Sequence, residues 1–182
     1  MVTNTLFSKR TTINCNGRLL DLSEPKVMGI LNVTPDSFFD GGQQNLLDEA
    51  VQHCERLLAE GADIIDLGAY SSRPGAADVS EQEEIDRITP VLKEILQRFP
   101  DTIISVDTFR SEVAKAAVRE GAAIINDISG GELDPNMFET AAKLQVPYIL
   151  MHMRGTPDTM QQLTQYDDLV SDIIKYFAEK VR

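Results

Sequence analysis

Hydrophobic and polar positions alternate along the chain between short, continuously apolar runs and longer stretches with apolar residues at helical spacing. This alternation is typical of βα units around a parallel sheet, because strands covered on both faces carry apolar residues at every position. The pattern predicts five strands, at residues 27–33, 64–67, 103–106, 124–125 with their flanks, and 148–151. We therefore expect five βα units.

The amphipathic stretches predict a helix after each strand, at residues 46–58, 80–96, 108 or 111 to 120, 135–143, and 166 to the carboxyl end. Ser80 and Glu83 have the spacing of a capping box, and Pro90 inside the same helix predicts a kink. Asp134 followed by Pro135 predicts the N-cap and first position of the fourth helix.

The segment before the first predicted strand has the pattern of a β-hairpin. Residues 11–22 alternate around Asn16-Gly17, which is a strong signal for a two-residue hairpin turn. We expect this hairpin to cover one end of a parallel barrel.

Charge and composition exclude several classes of function. Seventeen Lys and Arg against twenty-nine Asp and Glu give a net charge of −12, which disfavours binding to nucleic acids and to anionic membranes. No apolar run is long enough for a membrane span, and the first ten residues lack the apolar core of a secretory signal, which predicts a cytoplasmic protein. Cys15 and Cys54 form no CxxC pair, and Cys54 is expected to be a buried thiol.

Polar residues occur at the carboxyl ends of all the predicted strands. Any one of them alone is typical of a turn or a helix cap, but together they favour a site, since active sites of parallel barrels lie at this end. These residues are Asn32, Asp66, Asp107, Asn126 with Asp127, and His152.

The types of residue at these strand ends favour recognition of a planar heterocycle. The chain has no Ser/His/Asp order, no HExxH and no GxxxxGK phosphate loop, so hydrolysis by a nucleophilic triad is disfavoured. Neighbouring Asp and Asn side chains can accept and donate hydrogen bonds along one edge of an aminopyrimidine-like ligand. Two loops, residues 34–42 and 71–77, are expected to be mobile lids, and Arg73 suits an anion.

Five motifs together resemble the dihydropteroate synthase family. In order along residues 10–182 they read GILNVTPDSF with DGG, DLG with SSRPG, SVDT, INDISGG and LMHMRG. The resemblance implies a TIM (β/α)8 barrel, of which the chain holds about the first five βα units after an amino-terminal hairpin. It also implies condensation of p-aminobenzoate with a dihydropterin methyl diphosphate, giving dihydropteroate and pyrophosphate in folate biosynthesis, and a target for sulfonamides.

The same resemblance implies roles for individual residues. Asp107 and Asn126 would hold the pterin ring and act in catalysis, and Asn32 would bind Mg²⁺ and the diphosphate. The other implied substrate contacts are Ser72 and Arg73 in the second loop, Ile128 and Met151 in the pterin pocket, and Phe38 and Pro74 around the aminobenzoate.

Two departures from the family pattern shape the remaining expectations. Ala69-Tyr70 replaces the Gly-Glu that commonly precedes the second loop, and the family's later Asp-Pro-Gly, Ser-Arg-Lys and Arg-x-His segments are absent. We expect residues 1–182 to be a single truncated domain that is inactive alone and prone to associate, and the full-length form to be a homodimer. The alternatives are the pterin-binding barrel of a corrinoid methyltransferase and a non-catalytic fragment.

Overall fold

The computed structural model describes residues 11–33, 43–70, 79–157 and 159–181, and the predicted loops 34–42 and 71–77 lie outside them. A hairpin of β1 (Thr12–Cys15) and β2 (Arg18–Asp21) is followed by β3 (Met28–Asn32), α1 (Gln43–Ala59), β4 (Ile64–Gly68), α2 (Glu81–Arg98), β5 (Ile103–Asp107), α3 (Ser111–Arg119), β6 (Ile124–Asp127), α4 (Met137–Leu144), β7 (Tyr148–Leu150) and α5 (Leu169–Lys180). A short 3-10 helix, Met160–Gln162, lies between β7 and α5.

Strands β3 to β7 form one parallel sheet in chain order. This topology confirms the predicted βα units. One face of the sheet packs on the helices through fully buried residues such as Leu31, Ile65 and Ile104, which belong to the main hydrophobic core. Since side chains alternate along a strand, their neighbours in sequence face the opposite, concave side.

The hairpin closes the amino ends of the strands on this concave side. Its Cys15 and Leu20 pack in a second apolar cluster with Ile64, Ala123 and Ile124. The turn between β1 and β2 has positive φ at both Asn16 (52°) and Gly17 (85°), as the Asn-Gly signal predicts.

One row above this cluster the concave face is exposed at β3, whereas Asp66 on β4 and Ser105 on β5 in the same row are buried, as the prediction of strands covered on both faces requires. Ile30 faces this side and is 62% exposed. No helix packs on this side among the described elements, because the helices pack on the other face of the sheet. Asn32 at the carboxyl end of β3 is exposed, so a ligand can reach the sheet at the carboxyl ends of the strands.

Helix termini differ from the sequence pattern in two places. Ser80 caps α2 as predicted, its Oγ accepting from the Glu83 amide at 3.2 Å. Asp134, however, does not cap α4, which begins at Met137; its Oδ2 accepts from the Ser111 amide at 2.7 Å and so caps α3.

Helix α5 begins later than predicted, at Leu169 instead of Tyr166. Asp168 is its N-cap and accepts from the Ser171 amide at 3.1 Å. The Arg154 guanidinium lies 4.4 Å from the Tyr166 ring and donates to the Gln165 carbonyl, which holds this segment outside the helix. None of the helices in the described part of the chain is both long and apolar enough to cross a membrane.

Candidate active site

The parallel register brings four residues of the concave face into one row. Asn32 on β3 is the register partner of Gly68 on β4, which is the partner of Asp107 on β5, which is the partner of Asn126 on β6. Each lies at the carboxyl end of its strand. The structure thus brings together three of the predicted site residues, Asn32, Asp107 and Asn126.

Gly68 provides space in the middle of this row. A Cβ at this position would lie 3.3 Å from Asn32 Oδ1 and 3.3 Å from Asp107 Cβ, closer than most real Cβ contacts. The missing side chain therefore lets the polar groups of Asn32 and Asp107 face the same small volume.

Asn126 is hydrogen-bonded to a carboxylate one row deeper. Its Nδ2 donates to Asp66 Oδ2 at 2.9 Å, and Asp66 is only 5% exposed. The contact bridges β4 and β6 across the intervening β5, which requires the concave curvature of the sheet. Burial raises the pKa of Asp66, an effect that the Ser105 and Asn126 side chains oppose.

Asp107 is a half-buried carboxyl group in negative surroundings. Burial is the main cause that raises its pKa to about 7, and the charges of Asp66, Glu84 and Asp127 raise it further. No hydrogen bond from the described residues offsets these effects. The group can therefore gain or lose a proton near neutral pH, and it is ready to accept a hydrogen bond from a ligand.

A buried ion pair holds the chain directly after Asp107. Glu84 of α2 is fully buried and accepts from Thr108 Oγ1 at 2.7 Å and from Arg110 Nη1 at 2.9 Å. Sequence reasoning missed this residue, although its helical spacing with Ile88 and Ile95 puts a carboxylate on the apolar face of α2.

Asp127 does not belong to the polar row, contrary to the sequence-based grouping. Because side chains alternate along β6, it lies on the face opposite Asn126. Its carboxylate accepts from the backbone amides of Ser129 and Gly131 and from the Tyr148 hydroxyl, so it orders the turn after β6.

His152 is also drawn away from the row. Its ring lies 4.8 Å from that of Tyr176 and 6.4 Å from that of Phe177, both on α5. Aromatic packing therefore accounts for the position of this side chain, which the sequence pattern had assigned to the polar ring.

The predicted pterin-pocket residues follow neighbouring strands. Ile128 comes directly after β6 and Met151 directly after β7, and both are half-buried. The Met151 backbone is fixed at both of its polar atoms, since its amide donates to the Asp127 carbonyl and its carbonyl accepts from the Tyr176 hydroxyl.

The second loop is described only at its start. Tyr70, one of the two departures from the family pattern, packs edge to face on Phe109 with ring centroids 5.0 Å apart, and the Arg110 guanidinium lies 5.2 Å from its ring. Tyr70 thereby links the end of this segment to the β5–α3 connection. The predicted contacts Phe38, Ser72, Arg73 and Pro74 lie outside the described residues.

Comparison with known proteins identifies the family. A family model for pterin binding enzymes matches residues 28–182. Dihydropteroate synthase of Escherichia coli is 50% identical over 165 residues, which cover 91% of this chain and 58% of that protein.

Solved structures agree with this assignment. Xanthomonas albilineans dihydropteroate synthase with 4-aminobenzoic acid superposes with a TM-score of 0.83 at 42% identity, covering 94% of this chain and 60% of that one. The same enzyme in complex with 7,8-dihydropteroate gives a TM-score of 0.79 at 39% identity, covering 93% and 58%.

These likenesses confirm the resemblance that the motifs carry, and the parallel sheet with its hairpin is part of a TIM barrel. The chain spans about 58% of the length of the E. coli relative. By its sequence and its fold, the chain belongs to the family of pterin binding enzymes.

Proposed function

We propose that this chain carries the pterin-binding side of a dihydropteroate synthase, which joins a dihydropterin methyl diphosphate to p-aminobenzoate in folate biosynthesis. The main support is the row of Asn32, Gly68, Asp107 and Asn126 at the carboxyl ends of neighbouring strands. A flat heterocycle that meets this row finds a carboxylate and a carboxamide side by side. The likeness to enzymes solved with 4-aminobenzoic acid and with 7,8-dihydropteroate favours the same substrates here.

The reaction breaks one bond and forms another at the pterin methylene. The C–O bond to the diphosphate breaks, and its electron pair leaves with the diphosphate, so positive charge develops on the methylene and the ring. The amine nitrogen of p-aminobenzoate then attacks this carbon, forms the C–N bond and loses a proton.

Asp107 and Asn126 stabilise the developing charge in this proposal. The Asp107 carboxylate accepts a hydrogen bond from a ring N–H, and its attraction to the ring grows as positive charge develops there. It therefore stabilises the transition state more than the bound substrate and lowers the barrier. Asn126 orients the ring edge. A site enclosed by Ile128 and Met151 would make both interactions stronger, since apolar walls exclude water.

Mg²⁺ fits the oxygen donor at the end of β3. Asn32 offers an amide oxygen in the polar row, and Mg²⁺ is usually bound through few protein oxygens together with substrate phosphates. No group of three or more His, Cys, Asp and Glu side chains in the described ranges could hold a metal ion. The ion would neutralise charge on the departing diphosphate, with Asn32 as its protein ligand.

The remaining contacts keep the roles that the family resemblance implies. Ser72 would lie near the diphosphate and the aminobenzoate, Phe38 and Pro74 would help frame the aminobenzoate, and Arg73 suits an anion. The cytoplasmic location, the Mg²⁺ requirement and the homodimeric full-length form stay predictions.

Calorimetric titration of this chain with 7,8-dihydropteroate tests the proposal. The wild-type chain should bind, and Asp107→Ala should weaken binding by about 10- to 100-fold, the effect of losing a hydrogen bond to a charged group. Glu112→Ala, which removes an exposed carboxylate on α3, is the matched control and should bind like the wild type. Equal binding by Asp107→Ala, or binding of methyl-tetrahydrofolate in preference to dihydropteroate, would contradict the proposal.

A further inference from the structure

Asp66 is a buried carboxylate that takes no direct part in the proposed reaction. It lies in the strand β4, one row below the polar row, and is 95% shielded from solvent. Its Oδ1 makes no hydrogen bond within the described part of the chain. A carboxylate in this position costs folding free energy, since a buried charge with an unpaired oxygen loses its hydration without full compensation.

Asp66 is hydrogen-bonded to a residue of the proposed site. Asp66 Oδ2 accepts from Asn126 Nδ2 at 2.9 Å. The contact joins residues 60 positions apart in the chain and reaches over β5. It is therefore a product of the barrel curvature and not of local chain geometry.

The chemistry of the pair decides which way the Asn126 amide points. A carboxylate only accepts hydrogen bonds, whereas a carboxamide has a donating nitrogen and an accepting oxygen at its two ends. With Asp66 below it, Asn126 must turn Nδ2 toward the carboxylate. Its Oδ1 and its second N–H are then held in one fixed arrangement, next to Asp107.

We infer that Asp66 is a positioning residue that fixes the orientation of the Asn126 amide, and so sets the order of donor and acceptor that the site presents to the heterocycle. The inference rests on the proposed function for the identity of the ligand. Without the carboxylate, the two orientations of the amide become similar in energy. The positions of the Asn126 donor and acceptor that face the ligand are then no longer fixed. This role gives a reason for a buried carboxylate at residue 66, although the carboxylate is unfavourable for the folding free energy.

The ligand-free test observes the Asn126 side-chain amide by NMR. In the wild-type chain one of its Nδ2 protons should exchange slowly with water, because it is hydrogen-bonded to a buried carboxylate. Asp66→Leu keeps a similar size but removes every acceptor, so this protection should be lost. Asp66→Asn keeps one possible acceptor and should give an intermediate exchange rate.

The second test compares stability with binding. Asp66→Leu should leave the thermal midpoint unchanged or raise it, since an apolar side chain replaces a half-unpaired charge. The same variant should bind 7,8-dihydropteroate about tenfold or more weakly. Glu112→Leu is the control: it makes the same kind of change at an exposed carboxylate on α3, far in the fold from the polar row, and it should bind like the wild type.

The outcomes separate this inference from the proposed function. If the wild-type chain does not bind dihydropteroate, the proposed function fails. The exchange rates of the Asn126 amide protons then test by themselves whether Asp66 fixes the orientation of this amide. Equal exchange in the wild type and Asp66→Leu would overturn the inference. So would unchanged affinity in Asp66→Leu, or an equal loss of affinity in Glu112→Leu. If Asp66→Leu does not fold, the comparison of the wild type with Asp66→Asn decides in the same way.

Discussion

Replacing Asp107 by Asn should stabilise the folded chain at neutral and basic pH. Asp107 is half-buried, and the carboxylates of Asp66, Glu84 and Asp127 surround it, while the Arg110 guanidinium is paired with Glu84. Together with burial, these charges raise its pKa from 3.8 to about 7. The ionised form is therefore disfavoured in the native state, and Asn keeps the shape of the side chain without a charge.

The sign and the size of the effect follow from proton linkage. Between about pH 4 and pH 7 the native state holds a proton on Asp107 that the unfolded state has released, so the stability of the wild type falls as the pH rises through this window. Three units of pKa shift correspond to about 4 kcal/mol when Asp107 is fully ionised. The advantage of Asp107→Asn should grow by about 2 kcal/mol between pH 5.5 and pH 8.

Urea denaturation followed by circular dichroism measures this difference, and a lower limit of pH 5.5 keeps the protein above its isoelectric point of about 4.5. Other carboxylates titrate in both proteins and cancel in the comparison. Glu112→Gln is the control, because it neutralises an exposed carboxylate that is not among the groups acting on Asp107, and its stability should depend on pH as that of the wild type does. An Asp107→Asn variant whose stability depends on pH just as the wild type does would refute the reasoning.

Three further predictions concern the site and the surface. Gly68→Ala should weaken dihydropteroate binding about tenfold in calorimetry with little change in thermal midpoint, because its Cβ would fill the space between Asn32 and Asp107; unchanged binding would contradict this. Glu84→Ala should lower the free energy of unfolding by about 3–5 kcal/mol in urea, since it removes the fully buried carboxylate that pairs with Arg110 and accepts from Thr108, and a loss below 1 kcal/mol would count against the ion pair. Ile174→Lys should reduce self-association in light scattering, since Ile174 is 61% exposed; equal association would exclude this α5 surface.

The strands and the polar row could be predicted from sequence because both depend on short-range rules. Continuous apolar runs mark strands that pack on helices, and parallel register then aligns their carboxyl ends, which brings Asn32, Asp107 and Asn126 together. The Asn-Gly turn is likewise a local preference of the backbone.

Contacts between distant segments could not be predicted in this way. The hydrogen bond from Asn126 to Asp66 depends on the curvature of the sheet, and Asp134 caps α3 instead of α4 because the β6–α4 connection places it beside the start of α3. Asp127 shares the strand end with Asn126, but the alternation of side chains sends it to the other face. Phe38, Ser72, Arg73 and Pro74 keep only the roles that the family resemblance implies.

The amino-terminal hairpin has a consequence for folding during synthesis. Cys15 and Leu20 are buried against Ala123 and Ile124, so the hairpin has no completed docking surface until β6 has been synthesised. At about 5–20 residues per second, roughly a hundred further residues take on the order of 5–20 s to synthesise. During that time the apolar side of the hairpin is free to contact chaperones, and the hairpin docks only after β6, which follows it in the chain.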